Sequence, residues 1–180
     1  VHTIGDQIGE TVRLHREASR AEARVAAIDA LKAVGFPDPE RKVNAYPFEL
    51  SGGLRQRAMI AMALACRPAL VIADEPTSAL DATIQIQILN LLRDLQREYG
   101  IALLIIAHDP GVVAYMADRV TVMYAGRVME TGPMAELFER PQHPYLQALV
   151  RSTPHLGLED DDRLKVIPGT VPDPLVPIQG

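Results

Sequence analysis

The chain has 180 residues, 48% apolar and only 4% aromatic, with a formal net charge of −5 at pH 7. That length is enough for one domain with a core of its own, and the acid excess argues against a general nucleic-acid binder, which needs a basic surface. A single cysteine, Cys66, rules out internal disulfides and suits a reducing compartment; following Ala65 on an apolar helix, it reads as a free buried thiol with no role.

Residues 1–16 read as a mixed helical stretch of weak periodicity. Ser19-Arg20-Ala21-Glu22 has the form of a capping box, with Glu22 able to reach back to the cap N–H. Val25, Ile28, Leu31 and Val34 then share one helix face, and Gly35 with Pro37 stops the helix. Residues 37–47 form a loop with a short helical possibility around 40–44. Together, residues 1–50 read as a small helical unit.

That unit feeds into Leu50-Ser51-Gly52-Gly53-Leu54-Arg55-Gln56-Arg57. Ser51 is a good N-cap, and the two glycines let another surface approach the backbone with no Cβ in the way. Met59, Ile60, Ala63 and Leu64 follow at helical spacing, which predicts one buried face. Free N–H groups and the positive end of the helix dipole suit a phosphate before Ser51. A bare S-G-G is more often an ordinary capped helix, and it is the residues about twenty positions later that favour the phosphate reading.

After Pro68 the pattern changes. Ala69-Leu70-Val71-Ile72-Ala73 is a short apolar run ending in Asp74-Glu75-Pro76, which predicts a strand buried on both faces of a parallel sheet. Asp81 caps a long amphipathic helix with Ile84, Ile88, Leu91, Leu92 and Leu95 as its buried positions, and Gly100 ends it. Residues 101–107 form a second buried strand running into His108-Asp109. This is the longest apolar run, far too short to cross a bilayer, and no signal peptide is visible, so membrane contact is expected through a partner. Pro110 opens a short helix to about Ala117. Residues 120–124 and 127–130 form a hairpin about Ala125-Gly126, and residues 134–138 and 145–150 form short helices broken by Pro141 and Pro144. Beyond Arg151 the composition drifts to Pro, Gly and acid (Glu159 to Asp162), with Val166-Ile167 as a possible strand in a loosely attached tail. There are no internal repeats. The order of strands and helices predicts an α/β fold with a parallel sheet.

In open parallel sheets ligands bind at the carboxyl ends of the strands, where Asp74, Glu75 and His108 fall. Asp74 is placed to hold Mg²⁺ through its water shell, since that ion keeps several waters and uses few carboxylates. Glu75 would orient or deprotonate a water attacking a phosphate, and His108 would contact the terminal phosphate. Each has a plainer reading: two adjacent acids as strand-end caps, a satisfied core histidine, and Ser78-Ala79-Leu80-Asp81 as a turn with an N-cap.

These residues resemble a known family. Leu50 to Arg57 is similar to the signature motif of ATP-binding-cassette ATPases, Leu70 to Asp74 to the Walker B strand, Glu75 to the catalytic glutamate, Ser78 to Asp81 to the D-loop and His108 to the switch histidine. Order and spacing agree over residues 50–109. Met123-Tyr124-Ala125-Gly126-Arg127, His143-Pro144-Tyr145 and Ile167-Pro168-Gly169 resemble the oligopeptide, dipeptide and nickel importer branch. The resemblance implies a P-loop NTPase-like parallel sheet, here partial, divided as a helical signature subdomain (residues 1–66), a partial ATPase core (67–140) and a carboxyl-terminal extension (141–180). It also implies ATP and Mg²⁺ as cofactors, with Ser51, Gly52, Gly53 and Gln56 touching ATP held by a second ATPase subunit, together with Asp81. The further partners implied are transmembrane permease subunits met through residues 1–50, and indirectly an extracytoplasmic solute-binding protein. The expected location is peripheral, on the cytoplasmic face of the inner membrane, with no nucleic acid bound.

One departure stands out: the pattern G-x-x-x-x-G-K-[ST], whose backbone and lysine cradle phosphates, occurs nowhere in the 180 residues, and no glutamine loop is visible. Val1 in place of Met and the missing loop are what a carboxyl-terminal piece of a subunit would show, so these residues alone are expected to hydrolyse little or no ATP. No metal cluster is expected. Two rivals are a chromosome-maintenance or DNA-repair ATPase, disfavoured by the lack of long heptads and the acidic balance, and a non-catalytic remnant that binds a full-length ATPase or transmembrane subunit.

Overall fold

Reciprocal side-chain caps start the first two helices. In α1 (Ile4–His15) the Asp6 N–H donates to the Thr3 hydroxyl at 3.1 Å, and the Thr3 N–H donates to the Asp6 carboxylate at 3.2 Å. In α2 (Arg20–Ala33) the expected box forms: the Glu22 N–H donates to Ser19 Oγ at 3.3 Å and the Ser19 N–H to Glu22 Oε2 at 2.8 Å. Helix α2 ends as its sequence predicts, at Gly35 with φ 64°. There the Phe36 N–H reaches the Leu31 carbonyl at 3.0 Å and the Gly35 N–H the Lys32 carbonyl at 2.9 Å, so the last carbonyls are satisfied. The loop after it holds a single turn, α3 (Pro39–Lys42).

The computed structural model describes residues 2–152, and the chain divides into two compact units, Val1–Ile106 and Ala107–Gly180. The acidic run at 159–162, the possible strand at Val166-Ile167 and the Ile167-Pro168-Gly169 segment lie outside the described residues.

In the first unit Ile8, Val12, Leu31, Val34 and Val43 are fully buried. The face that α2 buries is only partly the one its largest side chains suggest: Leu31, and Val34 just past its end, are buried as expected, and the rest differs. Ala23, Ala27 and Leu31 point inward, Ile28 is half-buried and Val25 is 58% exposed. The cause is close approach: α1 presents Gly9, and a Cβ there would lie 3.7 Å from the Ala23 Cβ, so the two helices meet through small residues. Similarly, α4 (Gly52–Leu64) buries Ala58, Ile60 and Ala61, while Met59 is 61% exposed and Ala63 exposed, against the expectation.

Strand β1 (Leu70–Asp74) pairs in parallel with β2 (Ala102–Ile106), and α5 (Ala82–Tyr99) makes the crossover. The α/β class with a parallel sheet therefore holds. Burial on both faces does not: alternate residues of each strand are exposed, among them Leu70, Ile72, Leu104 and Ile106. A parallel strand is buried twice only between two layers, and among the described residues the outward row meets none. Helix α5 buries Ile88, Leu89, Leu92 and Leu95, with Ile84 and Leu91 half-buried, and ends at Gly100 with φ 63°. Cys66 is half-buried just past α4, its Sγ 3.7 Å from the Thr11 carbonyl.

The second unit is a hairpin with helices. Its elements are α6 (Pro110–Met116), β3 (Arg119–Tyr124), β4 (Arg127–Pro133), α7 (Met134–Glu139) and α8 (Pro144–Ser152). Ala125 (φ 46°) and Gly126 (φ 78°) make the expected two-residue turn, with both residues in the left-handed region that such hairpins require. The Glu130 carboxylate accepts the Gln142 N–H at 3.1 Å and the His143 N–H at 2.8 Å, and His143 Nδ1 accepts the Tyr145 N–H at 3.1 Å. Tyr145 stacks at a tilt on Tyr124, ring centres 4.7 Å apart. The His143-Pro144-Tyr145 segment thus starts α8 and fastens it to the hairpin. No described helix is long and apolar enough to cross a membrane.

The caps make acid sensitivity predictable. Hydrogen bonds from Ser19, its side chain foremost and then its N–H, hold the Glu22 carboxyl below its ordinary value, and Thr3 does the same to Asp6. A depressed carboxyl stabilises the fold above the unfolded value, and that contribution is lost as pH falls through the folded one. The urea midpoint is therefore expected to drop as pH falls below about 4, and Glu22→Gln, which keeps the cap but does not titrate, flattens that drop. An unchanged slope in the variant would refute the assignment.

Candidate functional site

The stretch before α4 is held by its own side chains. Pro47–Glu49 forms a single 3-10 turn, closed by the Glu49 carboxylate accepting the Tyr46 N–H at 2.7 Å. Arg55 Nε donates to the Pro47 carbonyl at 2.8 Å, and Arg57 Nη1 donates to the Val34 carbonyl at 2.5 Å, tying α4 to the end of α2. Both arginines therefore act as straps within the unit.

Ser51 is the N-cap the sequence predicts, with extended backbone (φ −65°, ψ 163°) and its Oγ accepting the Leu54 N–H at 3.4 Å. Gly52 and Gly53 are the first two helical residues, so no carbonyl of the helix can pair their N–H groups. Ser51 and Gly52 are exposed and Gly53 half-buried. Exposed donors at the positive end of a 13-residue helix are suited to an anion.

Asp74 closes β1, opposite Ile106 in the register, and is exposed. Glu75 follows, also exposed, in the left-handed region with φ 45°, a conformation that costs a non-glycine residue about 1–2 kcal/mol. The turn around it holds that conformation. Its N–H donates to the Ile106 carbonyl at 2.9 Å, its carbonyl accepts the Ser78 hydroxyl at 3.2 Å, and Pro76 and Thr77 beyond it are buried. A strained carboxylate over-determined by its neighbours is the kind of residue found at reactive sites. Asp81 caps α5 as expected, Oδ1 accepting the N–H groups of Thr83 at 3.1 Å and Ile84 at 3.0 Å.

Within the first unit the structure brings several of these residues together. Gln56 and Asp74 line one mainly apolar cleft of about 160 Å³, with Met59, Ile60, Pro76 and Leu92 among its walls. The start of α4 lies against the turn before α5: a Cβ on Gly52 would lie 3.4 Å from a Leu80 methyl. His108 is exposed and belongs to the second unit, two residues past β2, where Asp109 Oδ1 accepts the Gly111 N–H at 2.8 Å to cap α6. Among the described residues no group of three or more His, Cys, Asp or Glu could hold a metal ion by itself. Sequence reasoning missed the approach of Leu80 to Gly52 and the Ile106 carbonyl that accepts the Glu75 N–H, because nothing local in the chain marks which groups meet across it.

Comparison with known proteins agrees with the motif reading. A family model described as ABC transporter matches residues 2–78, and one described as the carboxyl-terminal region of oligopeptide/dipeptide transporters matches residues 129–180. A Brucella melitensis protein named as a peptide import ATP-binding protein is 56% identical over 177 residues, covering 96% of this chain and 52% of the relative. The dipeptide transport ATP-binding protein DppD of Escherichia coli is 50% identical over 171 residues, 95% of this chain and 52% of its own length. A solved structure described as an inward-facing conformation of a metal-chelate type ABC transporter superposes with a TM-score of 0.68 at 25% identity, covering 76% of this chain and 54% of that one. The chain spans about half the length of the curated relatives it matches.

Proposed function

The chain belongs to the ABC transporter family, and from that premise we propose that it forms part of the ATP-binding subunit of a peptide importer. One observation carries the reading most directly. Ser51 and Gly52, exposed, and Gly53, half-buried, form a helix start whose N–H groups the helix cannot pair, in the motif order of the family. In the assembly we propose, these groups, with Gln56 one turn on and Asp81 alongside, meet the phosphates of ATP bound to a second ATPase subunit. The 180 residues carry no lysine-bearing phosphate loop, so hydrolysis is assigned to the assembled subunits.

Asp74 is proposed to hold Mg²⁺ through water. A single exposed carboxylate at a strand end suits an ion that takes most of its ligands from water and phosphate. Bound there, Mg²⁺ would neutralise charge on the phosphates. Glu75 is the proposed base that orients the attacking water, and His108 the proposed contact to the terminal phosphate. In a subunit of the relatives' length a further layer would cover Leu70, Ile72, Leu104 and Ile106. We retain the division at residues 1–66, 67–140 and 141–180. Residues 1–50 would face the permease subunits on the cytoplasmic side of the inner membrane, with a solute-binding protein acting from the other side.

The test is Ser51→Arg in the complete subunit. A guanidinium side chain at the cap fills the space the phosphate would take, so ATP-dependent dimerisation measured by light scattering is expected to weaken by at least about tenfold. Unchanged dimerisation would remove the phosphate from this helix start.

A further inference from the structure

Gly53 is a glycine for a reason that lies inside its own unit. A Cβ built on it would lie 2.8 Å from the Cγ2 methyl of Ile84, closer than two carbons approach. Ile84 is β-branched and stiff at χ1, so that methyl cannot swing aside as the end of a long side chain would. The N–H of the same residue donates to Asp81 Oδ1 at 3.0 Å, and Leu80, whose methyl faces Gly52, immediately precedes Asp81. An unbroken line of contact thus runs from the Ser51 helix start, through Gly53 and the Ile84 methyl, to the Asp81 cap.

We propose that Ile84 is a positioning residue for the nucleotide site. Its Cγ2 methyl, seated on Gly53, sets the spacing between the N–H groups opening α4 and the Asp81 turn opening α5, so that both reach a nucleotide on the neighbouring subunit as one rigid face. This rests on the reading of Ser51 to Gly53 given above and adds to it. If the glycine only made room for phosphate, an added methyl would do harm whatever stands at position 84. Here it does harm because isoleucine stands there.

The experiment compares Gly53→Ala, Ile84→Ala and the double variant in the complete subunit carrying Glu75→Gln. ATP-dependent dimerisation is measured by light scattering, and the thermal midpoint without nucleotide. Gly53→Ala is expected to weaken dimerisation by at least about tenfold and to lower the midpoint, although alanine is the better helix former. Ile84→Ala alone is expected to weaken dimerisation by about three- to fivefold, because the methyl that sets the spacing is gone, and the double variant matches Ile84→Ala within about twofold. Dimerisation of Ile84→Ala at the parent level would overturn the positioning role. A double variant as weak as Gly53→Ala overturns the proposal and leaves the glycine to the nucleotide alone. Full dimerisation by Gly53→Ala overturns it as well. Ser51→Arg dimerising like its parent defeats the underlying reading and with it the nucleotide role of the contact. The thermal arm then still judges the packing: recovery of the Gly53→Ala midpoint by Ile84→Ala upholds the contact, and no recovery refutes it.

Discussion

Glu75→Gln in the complete subunit is expected to lower steady-state ATP hydrolysis by about 10²–10⁴-fold, the range that loss of a positioned general base produces. The substitution keeps the shape of the side chain and leaves the backbone bonds of the turn untouched, including the N–H donated to Ile106 and the carbonyl that accepts from Ser78. ATP-dependent dimerisation should therefore persist, and trapping of the ATP-bound dimer is the expected companion result. Turnover close to that of the parent protein would remove Glu75 from the role of base. The left-handed backbone at Glu75 sharpens the prediction, since a glycine there would relieve the strain. If the strained geometry serves only the turn, Glu75→Gly would be stabilising and the loss of turnover would have to be explained by side-chain chemistry alone.

Leu31→Ala is expected to destabilise the protein by about 2–5 kcal/mol, measured as a shift in the urea midpoint with little change in its slope. Leu31 is fully buried with Ile8, Val12 and Val34 as other members of the same core, and its carbonyl also accepts the Phe36 N–H that closes α2. Truncating its side chain at Cβ removes an isopropyl group that is fully shielded from solvent and leaves a cavity in the core. By contrast, Val25, which the periodicity of the sequence places on the same face, is 58% exposed, and Val25→Ala should fall within about 0.5 kcal/mol of the parent. Equal losses at the two positions would show that Val25 is packed as tightly as Leu31.

The elements that could be read from the chain are those whose physics is local. The Ser19 and Glu22 box, the stop at Gly35, the caps at Ser51 and Asp81, the proline at the start of α6 and the Ala125-Gly126 turn each depend on residues within about five positions of one another, and each is formed. The motif order from Ser51 to His108 belongs to the same class, because it concerns residue types at strand and helix ends.

Faces and contacts were decided differently. Helical periodicity selects Val25, Ile28, Leu31 and Val34, yet only Leu31 and Val34 are fully buried, and Ala23, which faces Gly9 of α1, is buried while Val25 is exposed. The run at residues 69–73 shows a strand but not whether a second layer covers it, so the outward row at Leu70 and Ile72 could not be foreseen as exposed. Composition and order along the chain determined which segments form helices, strands, turns and caps, since those follow from hydrogen bonds and steric limits between near neighbours. Only the tertiary structure decided that Gly53 meets Ile84, 31 positions away by residue number, and that Glu75 is held in a left-handed turn by the carbonyl of Ile106, because van der Waals contact depends on distance in space and the chain alone carries no measure of it.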